Sequence, residues 1–240
     1  YKSKKWLLGV VFTSLFVALQ LYSNHYQITY YTTILLAIIG ITQLIKEIKK
    51  KTIQNFLKRS ICLVFAALLA LGTNYTVFST TLEYSEFSQR GPSELTAKKG
   101  EKKDEGMSND YITQYSYGID ETMTFLIPNF KGGAMKDGNY WGEMAYINPN
   151  NVKQKIPFYG PGAPTYVGAI VFFFFFLGIF YVKSSYKYWI LVSTILTVML
   201  GWGHNLPAFT DFFIDYFPMY NKFRAVTMIM IIAQFSIALL

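Results

Sequence analysis

Residues 166–182 read YVGAIVFFFFFLGIFYV, and positions 171–176 are one Val followed by five Phe. A helix on the surface of a water-soluble domain carries a polar face, and this run has none. Five further stretches are almost as apolar: residues 6–22, 30–45, 61–78, 188–202 and 225–240. Crossing a bilayer takes about 20 mostly apolar residues in a helix, so six stretches reach or approach that length. The expected fold class is all-α, a polytopic transmembrane helix bundle of about six spans. Composition agrees. Hydrophobic residues make up 52% of the chain and charged residues 15%, against about 25% charged in a typical soluble domain. This balance excludes a disordered chain, and no nucleic-acid partner is expected. The single Cys62 excludes an internal disulfide framework or a cysteine-rich metal site.

The net charge of +8 suits either basic flanks beside a membrane or an acidic partner, and its distribution decides. Lys2, Lys4 and Lys5 precede the first stretch. Lys46, Lys49, Lys50, Lys51, Lys58 and Arg59, with only Glu47 opposing them, lie between the second and third. Lys183 and Lys187 lie in the turn between the fourth and fifth. These sites alternate with connections that are not short and basic: residues 23–29 hold no Lys or Arg, and residues 79–165 hold nine Lys/Arg against eleven Asp/Glu. Short basic connections face the cytoplasm. The expectation is an integral membrane protein with its basic connections inside and its large loop outside, toward a periplasm or cell exterior. The domains are then three helices in residues 1–78, an outer loop in 79–165, and three helices in 166–240 with a second outer loop at 203–223. Trp6, Trp189 and Trp202 fall at helix ends, as an interfacial aromatic belt requires.

The long loop is uneven. Residues 97–106 (AKKGEKKDEG) read as a mobile tip. Residues 108–126 read as helical, with Tyr111, Tyr115, Ile119 and Met123 four apart and Gly118 as a breaker. Residues 128–133, 148–150 and 159–164 are turn-rich. Tyr140, Trp141, Tyr146 and Phe158 supply aromatic surface to pack on the membrane face. In the second outer loop, residues 211–217 between Pro207 and Pro218 read as a short amphipathic helix lying at the interface.

Several stretches, in this order, resemble the YfhO-type bacterial membrane proteins, in the branch common in the Bacteroidetes. They are Asn24-His25-Tyr26-Gln27, Thr29-Tyr30-Tyr31, Arg90-Gly91-Pro92-Ser93-Glu94-Leu95, Tyr115-Ser116-Tyr117-Gly118 and Glu121-Thr122. After them come Leu126-Ile127-Pro128-Asn129-Phe130-Lys131-Gly132-Gly133, Tyr166-Val167-Gly168 and Trp202-Gly203. The last are Asp211-Phe212-Phe213, Asp215-Tyr216-Phe217-Pro218 and Tyr220-Asn221-Lys222-Phe223-Arg224. The resemblance covers nearly the whole chain. It implies a protein similar to the GT-C class of glycosyltransferases, which move a sugar from a polyprenyl-phosphate carrier to an acceptor outside the membrane. The implied partners are membrane lipid, a polyprenyl-phosphate sugar and an envelope glycan, lipid or polymer. In that class the catalytic carboxylate sits in the first outer loop. The chain starts at Tyr1 and ends in an apolar run, so it reads as an internal piece that begins after that loop.

The candidate residues have two readings each. Lys222 and Arg224, on an outer flank where positive charge is disfavoured, either grip the carrier phosphate or snorkel to headgroups. Arg90 either binds phosphate or pairs with Glu94. His25 and His204, the two histidines, either move a proton or contact a phosphate, or they are polar interfacial side chains. Asp211 and Asp215, four apart, share a helix face. That face is either solvated or neutralised by Lys222, Arg224 or a divalent cation. Glu121, beside Asp120, is a candidate base or sugar ligand, or part of a solvated loop helix. Lys131 with Asn129, Gly132 and Gly133 offers a cation and backbone N–H groups to a phosphate, or forms an ordinary turn. Walker A, GxSxG and HExxH sequences are all missing. No Asp or Glu falls in mid-span, which lowers an ion-coupled transporter. A flippase for a lipid-linked glycan and a non-catalytic envelope assembly protein are the competing functions.

Overall fold

The computed structural model describes residues 6–88, 90–91, 107–132, 142 and 165–240. Among these residues the chain is all-helical and holds no strand. Lys2, Lys4, Lys5, Glu94, Gly133, the charged stretch 97–106, the turns at 148–150 and 159–164, and the aromatic residues Tyr140, Trp141, Tyr146 and Phe158 lie outside the described residues. The chain divides into two compact units, Tyr1–Gly91 and Pro92–Leu240.

The first unit holds α1 (Trp6–Tyr22), α2 (Tyr26–Lys49), α3 (Ile53–Thr73) and α4 (Tyr75–Glu86). The turn between α1 and α2 is shorter than the sequence suggests, because Asn24 takes a left-handed conformation (φ 56°) and reverses the chain in a few residues. Asn is among the few side chains that visit this region readily. The basic connection between α2 and α3 is also shorter than expected. Lys46 and Lys49 belong to the last turn of α2, where cations suit the helix dipole. Glu47 explains the tight join. Its buried carboxylate accepts hydrogen bonds from Gln43 Nε2 (2.7 Å) and from the Thr52 hydroxyl, and Arg59 lies 3.9 Å away.

The expected helix at 61–78 is really two helices, broken at Asn74, whose backbone is not helical (φ −112°, ψ 13°). Asn side chains compete for helix carbonyls. Here Asn74 Nδ2 reaches the Ala70 carbonyl at 3.1 Å and the Ala18 carbonyl of α1 at 3.2 Å. Buried Ala66 and Ala70 let α1 and α3 approach closely, and Gln20 Nε2 ties α1 to Thr32 Oγ1 of α2 at 3.0 Å.

Two helices, α2 and α3, are long and apolar enough to cross a membrane. At 24 residues α2 is about 36 Å long. Only 11% of each apolar window is buried, unlike the core helix of a water-soluble domain. Leu36, Ile41, Leu63, Val64, Phe65 and Leu68 point outward instead. A soluble monomer rarely exposes so much contiguous apolar surface.

The second unit holds α5 (Asn109–Ile112), a 3₁₀ turn (Asp120–Phe125), α6 (Ala169–Tyr181), α7 (Tyr186–Gly201), α8 (Pro207–Tyr216) and α9 (Met230–Leu239). The apolar helices α6, α7 and α9 are shorter than a full span. Gly168 (φ 105°) starts α6 three residues after Thr165, and Ala225 (φ 60°) with a 3₁₀ turn (Val226–Ile229) delays the start of α9. The core joins Phe175 of α6, Ile190 of α7, and Met230, Ala233 and Ile237 of α9 to Tyr117 and Phe125 of the loop. Ser193 and Ser236 hydrogen-bond across the buried α7–α9 seam at 2.9 Å, a typical polar contact between apolar helices.

The helical stretch expected at 108–126, with Gly118 as its breaker, is two short pieces, Asn109–Ile112 and Asp120–Phe125, and residues 113–119 between them are not helical. Its backbone groups find partners elsewhere: Tyr117 N–H donates to the Gly201 carbonyl at 2.9 Å and Thr227 N–H to the Tyr115 carbonyl at 3.4 Å. Tertiary partners replace helical ones, so only the two ends keep helical turns.

Candidate functional site

The segment from Gly201 to Thr227 joins α7 to α9 and carries most of the polar candidates. Gly203 (φ 50°) turns the chain out of α7, packed so tightly that a Cβ there would overlap Ser116 Oγ and lie 2.8 Å from Val226 Cγ2. Ser116 Oγ donates to the Thr113 carbonyl (2.6 Å) and accepts from His204 N–H (2.9 Å). Asn205 Nδ2 donates to the Tyr117 carbonyl at 3.1 Å, and Thr210 Oγ1 returns a bond to the Gly203 carbonyl at 2.8 Å. Trp202, expected in an interfacial belt, donates its indole N–H to Thr122 Oγ1 at 2.9 Å. These contacts fix residues 113–122 against residues 202–205.

Pro207 opens α8, where its missing N–H costs nothing. The expected short amphipathic helix is present: Thr210, Phe213 and Ile214 are buried, while Phe212, Asp215 and Tyr216 are exposed. Asp211 accepts from Asn109 Nδ2 at 3.0 Å. Among the described residues no three His, Cys, Asp or Glu side chains gather as a metal site.

Two non-glycine residues in left-handed conformation, Met219 (φ 64°) and Ala225 (φ 60°), bracket the next stretch. Each such conformation costs about 1–2 kcal/mol, and strain of this kind concentrates where geometry is enforced. Tyr220 is buried, and Met107 N–H donates to the Asn221 carbonyl at 3.1 Å. This arrangement places Lys222 and Arg224 half-buried on the loop. The Arg224 guanidinium carbon lies 5.0 Å from the Tyr111 ring centre and 5.4 Å from that of Tyr115, and Arg224 Nη1 donates to the Tyr111 hydroxyl. Arg favours such stacking because its plane matches an aromatic face. In the sequence Tyr111 and Tyr115 belong to a stripe at helical spacing, and Tyr115 also to the Tyr115-Ser116-Tyr117-Gly118 stretch. Their four-residue spacing was the available signal, and its meaning lies in the cation they share.

The other candidates separate. His204 is exposed, with Nδ1 3.2 Å from the Thr113 carbonyl, so that nitrogen carries the proton in this contact. Lys131 pairs with Asp120 and lies 5.8 Å from the Phe130 ring centre, and Gly132 N–H closes the turn on the Asn129 carbonyl at 2.8 Å. His25 and Arg90 belong to the first unit, and His25 makes no side-chain cap to α2.

Glu121 is 1% exposed rather than solvated. Its Oε2 accepts from Gly118 N–H at 2.6 Å, and its own N–H donates to the Gly118 carbonyl at 3.0 Å. The Glu121 side chain reaches back to an N–H three residues earlier, as the Glu of a capping box does, and a backbone turn bond closes the other side. The neighbouring Tyr117 phenol is pushed up by burial, hydrogen bonds from Thr124 and Thr165 oppose that rise, and the Glu121 charge adds to it. Glu121→Ala leaves a buried N–H without its acceptor and will cost about 1–3 kcal/mol. Glu121→Gln keeps an oxygen there and will cost less. Thermal unfolding of both variants in one detergent measures the difference.

No protein-family model, curated protein or solved structure matches the chain.

Proposed function

We propose that the chain is part of a membrane glycosyltransferase-like protein that takes a sugar from a polyprenyl-phosphate carrier and passes it to an envelope acceptor. The reading follows from the resemblance to the YfhO-type proteins. In it the six apolar segments cross a bacterial inner membrane, with basic connections inside and both loops outside. One observation carries the site: Lys222 and Arg224 lie two residues apart on the segment that joins the apolar helices α7 and α9, and the Arg224 guanidinium is held by Tyr111 and Tyr115. An oriented guanidinium presents a planar fork to phosphate, and a neighbouring Lys adds a point charge. An exposed His204 and the Asp211–Asp215 face lie on the same connecting segment and are assigned to the sugar or acceptor side. Glu121 is given a structural role, because its carboxylate is spent on the Gly118 turn.

The test uses the protein in proteoliposomes with a labelled polyprenyl-phosphate sugar and an envelope extract. Free polyprenyl phosphate is expected to be released only when acceptor is present. If no lipid phosphate is released while the labelled lipid changes leaflet, the transferase reading falls and a flippase replaces it.

A further inference from the structure

Tyr111 accepts a hydrogen bond from Arg224 Nη1 through its hydroxyl oxygen. A phenol can accept and donate at once. Among the described residues the Tyr111 hydroxyl proton has no acceptor. The hydroxyl is also held in place. The guanidinium lies 5.0 Å from the ring centre of Tyr111 itself, Tyr111 N–H donates to the Ser108 carbonyl at 3.0 Å, and Asn109 next to it is tied to Asp211 at 3.0 Å. A fixed hydroxyl that accepts from a cation and still has a proton to give is a ready donor toward an anion beside that cation. Hydrogen bonds linked in such a chain strengthen one another.

We infer that Tyr111 is a third ligand of the phosphate group, donating its phenolic hydrogen to a phosphate oxygen that Arg224 and Lys222 also hold. The inference rests on the proposed phosphate site and adds to it a recognition residue from the other outer loop. The recognised chemistry is a phosphate oxygen, whether on a lipid or free in solution.

The experiment is a binding titration of the protein in nanodiscs with polyprenyl phosphate, polyprenol and inorganic phosphate as separate probes. Tyr111→Phe keeps the stacked ring and removes only the hydroxyl. It is expected to weaken polyprenyl phosphate about fivefold to tenfold, the scale of one lost hydrogen bond. Polyprenol binding should not change, the thermal midpoint should fall by no more than the one lost Arg224–Tyr111 hydrogen bond accounts for, and Tyr216→Phe, an exposed tyrosine on α8, should bind like the wild type. A loss seen with polyprenyl phosphate alone identifies the lipid-borne group, whereas a parallel loss with inorganic phosphate identifies a site for phosphate from either source. Unchanged or tighter binding by Tyr111→Phe, while Arg224→Ala still binds weakly, overturns the role of Tyr111 and leaves the site standing. Unchanged binding by Arg224→Ala overturns the site itself.

Discussion

A Gly203→Ala variant is expected to lose roughly 2–5 kcal/mol of stability, enough to empty the folded state of a marginal protein. Two terms add. Gly203 has φ 50°, where a side chain costs about 1–2 kcal/mol. The added methyl then overlaps Ser116 Oγ and presses on Val226 Cγ2 at 2.8 Å, and overpacking typically costs about 1–3 kcal/mol. Neither neighbour can yield cheaply. Ser116 is buried and holds both the Thr113 carbonyl and His204 N–H, and Val226 is 1% exposed in the turn before α9. The comparison is Gly40→Ala in α2, where a Cβ meets nothing within 4 Å. That change should be neutral or stabilising by up to about 1 kcal/mol, through helix propensity. The thermal midpoint should therefore fall for Gly203→Ala and hold or rise for Gly40→Ala.

The second large effect concerns the cations. Removing both side chains in a Lys222→Ala/Arg224→Ala variant is expected to lower affinity for polyprenyl phosphate by roughly a hundredfold to a thousandfold. Hydrogen bonds to charged groups contribute about 1.5–3 kcal/mol each, and tenfold in binding is about 1.4 kcal/mol. Arg224→Lys should not restore the wild type. A lysine keeps the charge but cannot stack its plane on Tyr111 and Tyr115 or present two parallel donors, so about a tenfold deficit should remain. Turnover of the labelled carrier should fall in the same order. A double variant that transfers sugar at the wild-type rate would remove both residues from the site.

The apolar helices are legible in the sequence because apolarity along a helix is a local property. The run around Phe172–Phe176 needs no knowledge of the rest of the chain, and α6 covers it. Boundaries were less legible, because they depend on side chains that reach other helices. Asn74 ends α3 by bonding the Ala18 carbonyl of α1, a partner 56 residues away in sequence. The stretch 113–119 departs from the helix for a related reason: Tyr115 and Ile119 keep a helical spacing with Tyr111 and Met123, but backbone bonds of Tyr115 and Tyr117 go to Thr227 and Gly201. At the site, Lys222 and Arg224 stood out because outer-side cations are disfavoured. Tyr111 lies 113 residues before Arg224, and no sequence pattern joins them. Glu121 illustrates the opposite case. An acid in a polar loop reads as solvated, yet it closes a buried turn on Gly118, and the Glu three residues after a turn glycine was the only hint.

The most direct test of the account is whether the wild-type protein in nanodiscs distinguishes polyprenyl phosphate from polyprenol of the same chain length. The two ligands share the tail and differ only in the group that Lys222, Arg224 and Tyr111 are proposed to hold. The account predicts at least about a hundredfold tighter binding of the phosphate, on the scale of two charge-assisted hydrogen bonds, weakening as salt screens the cations. Equal affinity for the two lipids, insensitive to salt, would mean that the protein reads the tail alone, and the phosphate site would have to be abandoned.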